Sequence, residues 1–265
     1  QLWIGTDGGV SRFDGRHFSS FTAEDGLRGD SVQGLLEDRQ GALWFGGWSG
    51  LSRLHGGGFS NYGIEDGLRD NSVLSLFEDR LGQLWIGTDG GVSRFDGRRF
   101  EDVEITDYQG TRPNAIDIPI TEDGKGRIWF GNWGKGVVRS DGDSWTHFTS
   151  QDGLPSDQIT FMMRDRDGGQ WFGAFGGGLS RYDERQPVTL TTEDGLVNNL
   201  VKTVLEAGNG DLWLGTVAGL SRYDGETWTR FTDEQGLPSN SLWASLMDSR
   251  GHLWITTRGG GVGHY

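Results

Sequence analysis

The sequence of 265 residues contains no cysteine and only 5 prolines. Without cysteine the chain forms no disulfide and offers no thiolate to a metal. Cysteine usage therefore does not indicate whether the protein is in an oxidising or a reducing compartment. It also lacks any run of about 18 apolar residues, and we therefore expect no membrane insertion. The chain starts at Gln1 without a methionine or a signal segment, which indicates a removed leader or a piece of a longer protein.

Basic residues are also scarce, with 24 Lys and Arg against 38 Asp and Glu, a formal net charge of −14 at pH 7. Such a field repels phosphate backbones and anionic lipid, so we expect no nucleic acid partner. Glycine and tryptophan are abundant instead, at 47 and 12 residues. With so little proline, this composition indicates tight turns and aromatic packing and argues against disorder.

A tryptophan within an apolar segment such as "LWIGT" recurs along the whole chain. Successive copies are separated by 41, 41, 44, 42, 42 and 41 residues. A period near 42 is compatible with a propeller blade, a helix pair or a leucine-rich coil, but frequent glycine and short apolar stretches favour β-structure. The seven copies are Trp3, Trp44, Trp85, Trp129, Trp171, Trp213 and Trp254.

Each repeat is predicted to form four short strands, here named a to d. Typical segments are 71–79 for strand a, 83–87 for strand b, 91–96 for strand c and 144–149 for strand d. Asp-Gly pairs join several of them, which is a strong signal for a hairpin turn. One repeat of this length loses about 60 kcal/mol of conformational entropy on folding, whereas a buried tryptophan contributes at most about 5 kcal/mol. The repeats must therefore pack against one another.

We predict an all-β propeller of four-stranded antiparallel blades that forms a single domain over residues 1–265. Strands b and c occur seven times, but strands a and d only six times each. Seven blades would leave three strands in the first and last blade. Six blades would pair the N-terminal strands with the last strand a and leave residues 253–265 redundant. We favour seven blades, since each of the seven tryptophans needs a sheet on both sides.

The stretch "LWIGTDGGVSRFDG" at 84–97, with the "EDGL" and "NSVLSLFED" phrases around it, resembles the two-component regulator propeller repeat of bacterial sensor proteins. The resemblance extends over nearly the entire chain. It implies a propeller that is typically seven-bladed and extracytoplasmic, joined through a membrane helix to a signalling kinase, and often able to recognise oligosaccharides. This chain contains neither the helix nor the kinase. The resemblance thus implies a sensor-like module in a periplasmic or extracellular location.

Residues that are present in every repeat are expected to serve the scaffold. The strand c arginine is predicted to form an ion pair with acids such as Glu78 or Asp79, and a basic ring for an anionic ligand is the alternative. The acids of the "EDGL" phrase are predicted to form turns, with calcium as the alternative, although no EF-hand or nonapeptide spacing is found. We expect no cofactor and no metal. The arginines are Arg12, Arg53, Arg94, Arg139, Arg181 and Arg222, and the acids are Glu24, Asp25, Glu65, Asp66, Glu193 and Asp194.

Three tryptophans depart from the repeat, namely Trp48, Trp133 and Trp243. Trp48 and Trp133 lie in links between strands b and c, and Trp243 begins a strand a. In a propeller the b–c links and the links that lead into strand a lie on one face. The same b–c position holds Asp7, Asp89, Phe175, Val217 and Arg258 in other repeats, and the start of strand a holds Gln33, Leu74, Asp117, Thr160 and Lys202.

We therefore predict a ligand site on that face for an oligosaccharide or another small polar ligand. Aromatic rings would stack on the sugar and polar groups would fix its hydroxyls. The alternative is that the aromatic residues only plug the mouth of the channel. The insertion at 101–120 would form a rim on the same face. The predicted site comprises Trp48, Trp133, Phe175, Trp243, Asp7, Asp89, Asp117, Lys202 and Arg258.

Catalysis is not expected, and no catalytic residue is assigned. The sequence shows no serine–histidine–acid set, phosphate loop or zinc spacing. The blade pattern is also similar to that of the streptogramin lyases, but none of the five histidines, His17, His55, His147, His252 and His264, is predicted in a b–c or d–a link. A carboxylate pair among Asp7, Asp89 and Asp117 leaves a propeller lyase or hydrolase as one alternative. A protein–protein interaction scaffold is the other.

Overall fold

The computed structural model describes residues 1–105, 118–131, 134–142, 144–185 and 187–265. Within these segments the chain consists of β-strands, turns and single-turn 3-10 helices. Strands that are neighbours in the sequence are neighbours in each sheet, so every sheet is an antiparallel meander. There are seven such sheets, and they are the blades of a β-propeller. The predicted fold is confirmed, and blades are numbered one to seven along the chain.

Residues Gln1–Glu122 form the first of two compact units. It holds blade one, which has three strands, and blades two and three, which have four. The strands are β1 (Leu2–Thr6), β2 (Gly9–Phe13) and β3 (Phe18–Phe21) in blade one; β4 (Gly34–Glu37), β5 (Leu43–Gly47), β6 (Gly50–His55) and β7 (Gly58–Tyr62) in blade two; and β8 (Val73–Glu78), β9 (Leu84–Thr88), β10 (Gly91–Phe95) and β11 (Phe100–Val103) in blade three.

Residues Asp123–Tyr265 form the second unit, with blades five to seven and most of blade four. Blade seven has three strands. The strands are β12 (Ile120–Glu122), β13 (Ile128–Gly131), β14 (Val137–Ser140) and β15 (Trp145–Phe148) in blade four; β16 (Ile159–Arg164), β17 (Gln170–Ala174), β18 (Leu179–Tyr182) and β19 (Val188–Leu190) in blade five; β20 (Val201–Glu206), β21 (Leu212–Thr216), β22 (Gly219–Tyr223) and β23 (Trp228–Phe231) in blade six; and β24 (Leu242–Met247), β25 (Leu253–Thr257) and β26 (Gly261–His264) in blade seven.

The number of blades follows the preferred prediction. β24 pairs with β25 in a sheet of its own, so residues 253–265 are the second and third strands of a seventh blade and are not redundant. The first and last sheets each have three strands, as the count of repeats predicted. The six-blade alternative is therefore wrong.

The hydrophobic core lies between consecutive blades. One cluster joins Trp44 and Leu51 of blade two to Val73, Ile86 and Phe95 of blade three, all of them buried. Strand b of a blade is covered on both faces, which is why "LWFG" in β5 is apolar throughout and buried throughout. The same arrangement recurs in the second unit, where buried residues of blades five and six form one cluster.

A glycine in strand b permits this close approach of sheets. A Cβ added to Gly46 would lie 2.4 Å from a methyl carbon of Val73, and one on Gly215 would lie 3.1 Å from Leu242. Both neighbours open strand a of the following blade. The sequence reading assigned the glycines to turns, but this glycine belongs to a contact between blades.

Strand a starts with a β-bulge in four blades, which the sequence pattern did not reveal. The register shifts by one residue between the first and third residues of β8, β16, β20 and β24. A bulge turns the extra side chain out of the regular alternation. The bulged residues are Leu74, Thr160, Lys202 and Trp243.

Candidate functional site

A recurring hydrogen bond joins the a–b turn of a blade to the tryptophan of its strand b. The turn aspartate accepts the indole Nε1–H at 2.8 to 3.2 Å in blades two, three, four, five and seven. The other carboxylate oxygen accepts backbone N–H groups of the same turn, as Asp38 does from Gln40 and Ala42. The pairs are Asp38 with Trp44, Asp79 with Trp85, Asp123 with Trp129, Asp165 with Trp171, and Asp248 with Trp254.

Asp165 shows how strongly these carboxylates are held as anions. Burial alone would disfavour the charge, but Arg181, the backbone N–H of Gly169 and the indole of Trp171 all donate to the carboxylate. These donors outweigh burial and lower the pKa of Asp165 below its ordinary value. The acid is therefore a structural anion and not a proton donor near neutral pH.

The strand c arginine lies directly across from the strand b tryptophan in each of the first six blades. Its guanidinium sits over the indole ring at 5.1 to 5.9 Å, within the range of a cation–π contact. Arg53 and Arg181 also pair with the turn aspartates Asp38 and Asp165. A scaffold role and an ion pair were predicted correctly, and the tryptophan contact was missed.

The predicted partner of the arginine is wrong in blade three. Arg94 pairs with Glu101 of the adjacent strand at 2.7 Å, and not with Glu78 or Asp79. Asp79 is occupied by the indole of Trp85 and the turn backbone. Glu78 instead accepts the backbone N–H of Arg39 in the neighbouring blade.

The "EDGL" acids form turns, as predicted. Asp25 closes the 3-10 helix Ala23–Asp25 by accepting the backbone N–H of Thr22 at 2.9 Å, and Gly26 ends it with φ of 108°. Asp66 and Asp152 accept the corresponding bonds in the helices Ile64–Asp66 and Ser150–Asp152. Gln235 does so in the helix Asp233–Gln235. The side chain at this position acts as a hydrogen-bond acceptor that holds the turn. Its charge is not required for that, because the amide of Gln235 accepts the same bond.

The b–c turns and the entry to strand a lie at the same end of each blade. The backbone N–H of Phe175 donates to the carbonyl of Gln158, which immediately precedes β16, at 2.9 Å. The N–H of Asp89 bonds in the same way to Ser72, and that of Arg258 to Ser241. In these three blades the b–c turn is thus hydrogen-bonded to the residue that immediately precedes strand a.

The aromatic residues singled out from the repeat face solvent. Trp48 is 48% exposed, Phe175 49% and Trp243 45%. Trp48 lies in the turn between β5 and β6, Phe175 in the turn between β17 and β18, and Trp243 on the bulge of β24. The strand b tryptophans Trp44 and Trp129 are by contrast only 2% and 1% exposed. Position in the repeat therefore separated core indoles from exposed ones correctly.

Lys202 and Trp243 are brought together in the second unit. The ammonium Nζ of Lys202 lies 5.1 Å from the centre of the Trp243 ring. Both side chains come from the bulges of strand a in neighbouring blades, β20 and β24. The result is an exposed aromatic face with a cation on it.

The predicted acidic members of the site in the first unit are engaged in local hydrogen bonds. Asp7, in the turn between β1 and β2, accepts from the Ser31 hydroxyl and the Gln33 amide, each at 3.3 Å. Asp89 accepts from the Ser72 hydroxyl at 2.8 Å, while its other oxygen is buried and accepts no bond within the described residues. Both acids thus lie where the links meet.

Three sequence-predicted features lie wholly or partly outside the described residues. The described residues do not include Trp133 or Asp117, and they do not include most of the proposed rim at 101–120. Arg258 is described and exposed, in the turn between β25 and β26. The two compact units contribute separately, with Asp7, Trp48 and Asp89 in the first and Phe175, Lys202 and Trp243 in the second.

The histidines lie away from the b–c turns. His147 and His264 are on strands β15 and β26, His55 ends β6, and His17 precedes β3. His252 lies in the a–b turn of blade seven, with its Nδ1 3.1 Å from Asp248. Among the described residues no group of three or more histidine, aspartate or glutamate side chains is arranged to hold a metal ion.

The part of the chain that the structure describes includes no helix with the length and apolarity needed to span a bilayer.

The family model described as two component regulator propeller matches three segments of the chain, residues 26–49, 67–90 and 236–259. Each segment runs from the link before strand a into the b–c turn, so it covers strands a and b of one blade. These three segments therefore match the two component regulator propeller repeat, as the repeated motif indicated. No curated protein sequence matches the chain.

Among solved structures, the chain is similar to the extracellular domain of a putative hybrid two component system from B. thetaiotaomicron, with 24% identity and a TM-score of 0.84. That match covers 99% of this chain but 37% of the other, so the chain spans little more than a third of its length. Virginiamycin B lyase from Staphylococcus aureus is 16% identical with a TM-score of 0.67, covering 88% of this chain and 83% of the lyase. YCF48 bound to D1 peptide is 18% identical with a TM-score of 0.69, covering 99% and 87%. At these identities the likeness shows the fold alone.

Proposed function

We propose that this chain of two component regulator propeller repeats is a non-catalytic, sensor-like module that binds a glycan or another small polar ligand. The ligand would bind at the blade ends that carry the b–c turns and the bulges of strand a. The observation that carries the proposal is the pair Lys202 and Trp243, an exposed indole with an ammonium 5.1 Å from its ring centre.

The pair is suited to a ligand because the indole of Trp243 is exposed to solvent and the ammonium of Lys202 lies beside it. Trp243 lies on the bulge of β24 and is 45% exposed, whereas Leu74 and Thr160 on the equivalent bulges are only 2% and 5% exposed. The apolar face of an exposed indole interacts weakly with water, whereas the C–H face of a sugar ring can stack on it. The ammonium of Lys202 adds a donor for a hydroxyl or a carboxylate.

The other exposed members of the site support the same chemistry. Phe175 offers a second half-exposed aromatic face in the second unit, and Trp48 offers one in the first. The polar groups predicted at these turns are of both signs, as expected for contacts to a ligand rich in hydroxyls. Asp7, Asp89 and Arg258 would supply these contacts, and Trp133 and Asp117 remain predicted members.

A location outside the cytoplasm, periplasmic or extracellular, is part of the proposal. The similar structure from B. thetaiotaomicron is an extracellular domain of a two component system. The absence of cysteine and the acidic surface are compatible with that location. A chain of this kind would report the ligand to a signalling partner, which makes a protein partner a second expectation.

Replacing single aromatic residues tests the site. We expect Trp243→Ala and Phe175→Ala each to weaken binding of oligosaccharides on a glycan array about fivefold or more, because stacking on an aromatic ring is worth about 1 kcal/mol. Melting temperatures should change little, since both rings are half exposed. Phe18→Ala is the matched control, because Phe18 is 60% exposed but lies on β3, away from these turns.

An unchanged array profile in Trp243→Ala and Phe175→Ala would contradict the site. Multiple turnover of a glycan or a lactone, with or without magnesium, would contradict the non-catalytic assignment. A blank array together with a protein partner lost in Trp243→Ala but retained in Phe18→Ala would favour the interaction scaffold instead.

A further inference from the structure

Blade six departs from the other blades at the a–b turn. The turn position that holds aspartate in blades two, three, four, five and seven is Ala207 in blade six. An aspartate occurs four residues later instead, and this Asp211 pairs with Arg222. The indole of Trp213 therefore donates no hydrogen bond to any residue that the structure describes, unlike the indoles of those five blades.

The turn backbone has lost the same acceptor. In blade two, Asp38 accepts from the backbone N–H groups two and four residues on. In blade six the amide of Asp211 bonds to the side chain of Asn209 at 3.2 Å, and the amide of Asn209 has no acceptor within the described segments. The equivalents of these two donors, the indole N–H of Trp213 and the backbone N–H of Asn209, bind an aspartate carboxylate in blade two. In blade six both donors are present but the carboxylate is missing.

The space next to these donors is a cavity of about 450 Å³. Its polar wall includes Trp213 and Asn209, and its apolar wall includes Met247, Leu253 and Tyr265. This volume is in the range of small-molecule sites. Arg222 and Asp211 also line it but neutralise each other, so the unused groups at the polar wall are donors.

We propose that this cavity binds a small ligand with a carboxylate on an apolar body. The ligand carboxylate takes the place of the missing aspartate and accepts from Nε1–H of Trp213 and the backbone N–H of Asn209. Five sister turns hold a carboxylate against the equivalent donors, so the donor geometry is already matched to one. The apolar body packs on Met247, Leu253 and Tyr265.

This site is independent of the proposed glycan site. It lies at the a–b turn of blade six, which is the end of β20 opposite to the bulge that carries Lys202. Loss of one site therefore leaves the other measurable.

Phenylacetate is a suitable probe, and the indole N–H signals of the nitrogen-15-labelled 265-residue chain are the readout. We expect the Trp213 signal, assigned with Trp213→Phe, to move in a saturable way below about 10 mM phenylacetate. The Trp171 signal should stay in place, because Asp165 already accepts that N–H. Phenylacetamide should bind at least about tenfold more weakly, since the hydrogen bonds to a charged acceptor are stronger.

Two variants separate the cavity from general effects. Ala207→Asp restores the internal carboxylate, so its free Trp213 signal should already be shifted and phenylacetate should no longer move it. Ala207→Leu fills the space without an acceptor and should also abolish binding, with the Trp213 signal unshifted. No saturable movement in the wild-type chain, equal affinity for the amide, or unchanged binding in both folded variants would overturn the proposal.

Discussion

At the scale of single residues, one aspartate in the a–b turn of five blades performs several structural tasks. Asp165 accepts from the turn amide of Gly169, the indole of Trp171 and the guanidinium of Arg181. A carboxylate is needed because it has only acceptor sites. The residue explains why an acid recurs in these turns without forming an active site.

Asp165→Asn tests this role. An amide presents a donor toward Trp171 or Arg181, so we expect a loss of about 2 kcal/mol in the free energy of unfolding at pH 7. The lowered pKa of Asp165 means that this contribution is complete above the unfolded pKa, near about 4, and is lost as the pH falls through the folded pKa. Urea denaturation from pH 7 to pH 2 should show the difference between the two proteins shrinking in acid.

Asp167→Asn provides the control for that experiment. Asp167 is exposed in the same turn, and its replacement should change the free energy of unfolding by less than about 0.5 kcal/mol. A difference between Asp165→Asn and wild type that persists undiminished at pH 2 would contradict the charge-based explanation.

At the scale of elements, strand b is defined by what the next blade places against it. A Cβ on Gly215 of β21 would lie 3.1 Å from Leu242 of the next blade and 2.5 Å from a methyl carbon of Thr203 in its own blade. Blade seven has Thr256 at the equivalent position of β25, where the side chain is half-buried. The glycine is thus a requirement of close packing within the blade and against the next one, and not of strand formation, which glycine weakens.

Gly215→Ala should lower the free energy of unfolding by about 1 to 3 kcal/mol, because the added methyl group overpacks the contact with Thr203 and Leu242. Gly208→Ala is the matched control, since nothing lies within 4 Å of a Cβ at Gly208 and its φ is not in the left-handed region. Thermal and urea unfolding of both variants measure the effect. A Gly215→Ala protein as stable as Gly208→Ala would show that the contacts with Thr203 and Leu242 adjust to the added methyl group at little cost.

At the scale of the whole molecule, the repeats build a scaffold on which acidic charge accumulates. The formal net charge is −14 at pH 7, and the pI from the sequence is about 4.7. Many of the arginines are paired with acidic side chains or lie over aromatic rings within the blades. The remaining field favours solubility near neutral pH and disfavours anionic partners.

The solubility of the protein should therefore pass through a minimum near pH 4.7, where the net charge vanishes. Dynamic light scattering from pH 7 to pH 4 would follow the onset of association, with added salt at pH 7 as a control for screening. A chain that stays monodisperse at high concentration through pH 4.7 would contradict this expectation.

The sequence by itself determined the repeated strands, the resemblance to the two component regulator propeller repeat and the end of each blade at which the exposed aromatic residues lie, while it left six or seven blades open. These features are local or periodic: apolar alternation marks a strand, Asp and Gly mark a turn, and a departure such as Trp48 is visible against its copies. The membership of a shared site was not determined, because periodicity does not give distances between side chains.

Only the tertiary structure decided the contacts between residues one repeat apart. It placed Lys202 on Trp243 through two bulges, set Gly215 against Leu242, and opened a cavity beside Trp213. A bulge shifts the alternation by one residue without altering composition, and a missing acceptor matters only when its donor is nearby. Such features arise from packing between blades, which a linear pattern does not encode.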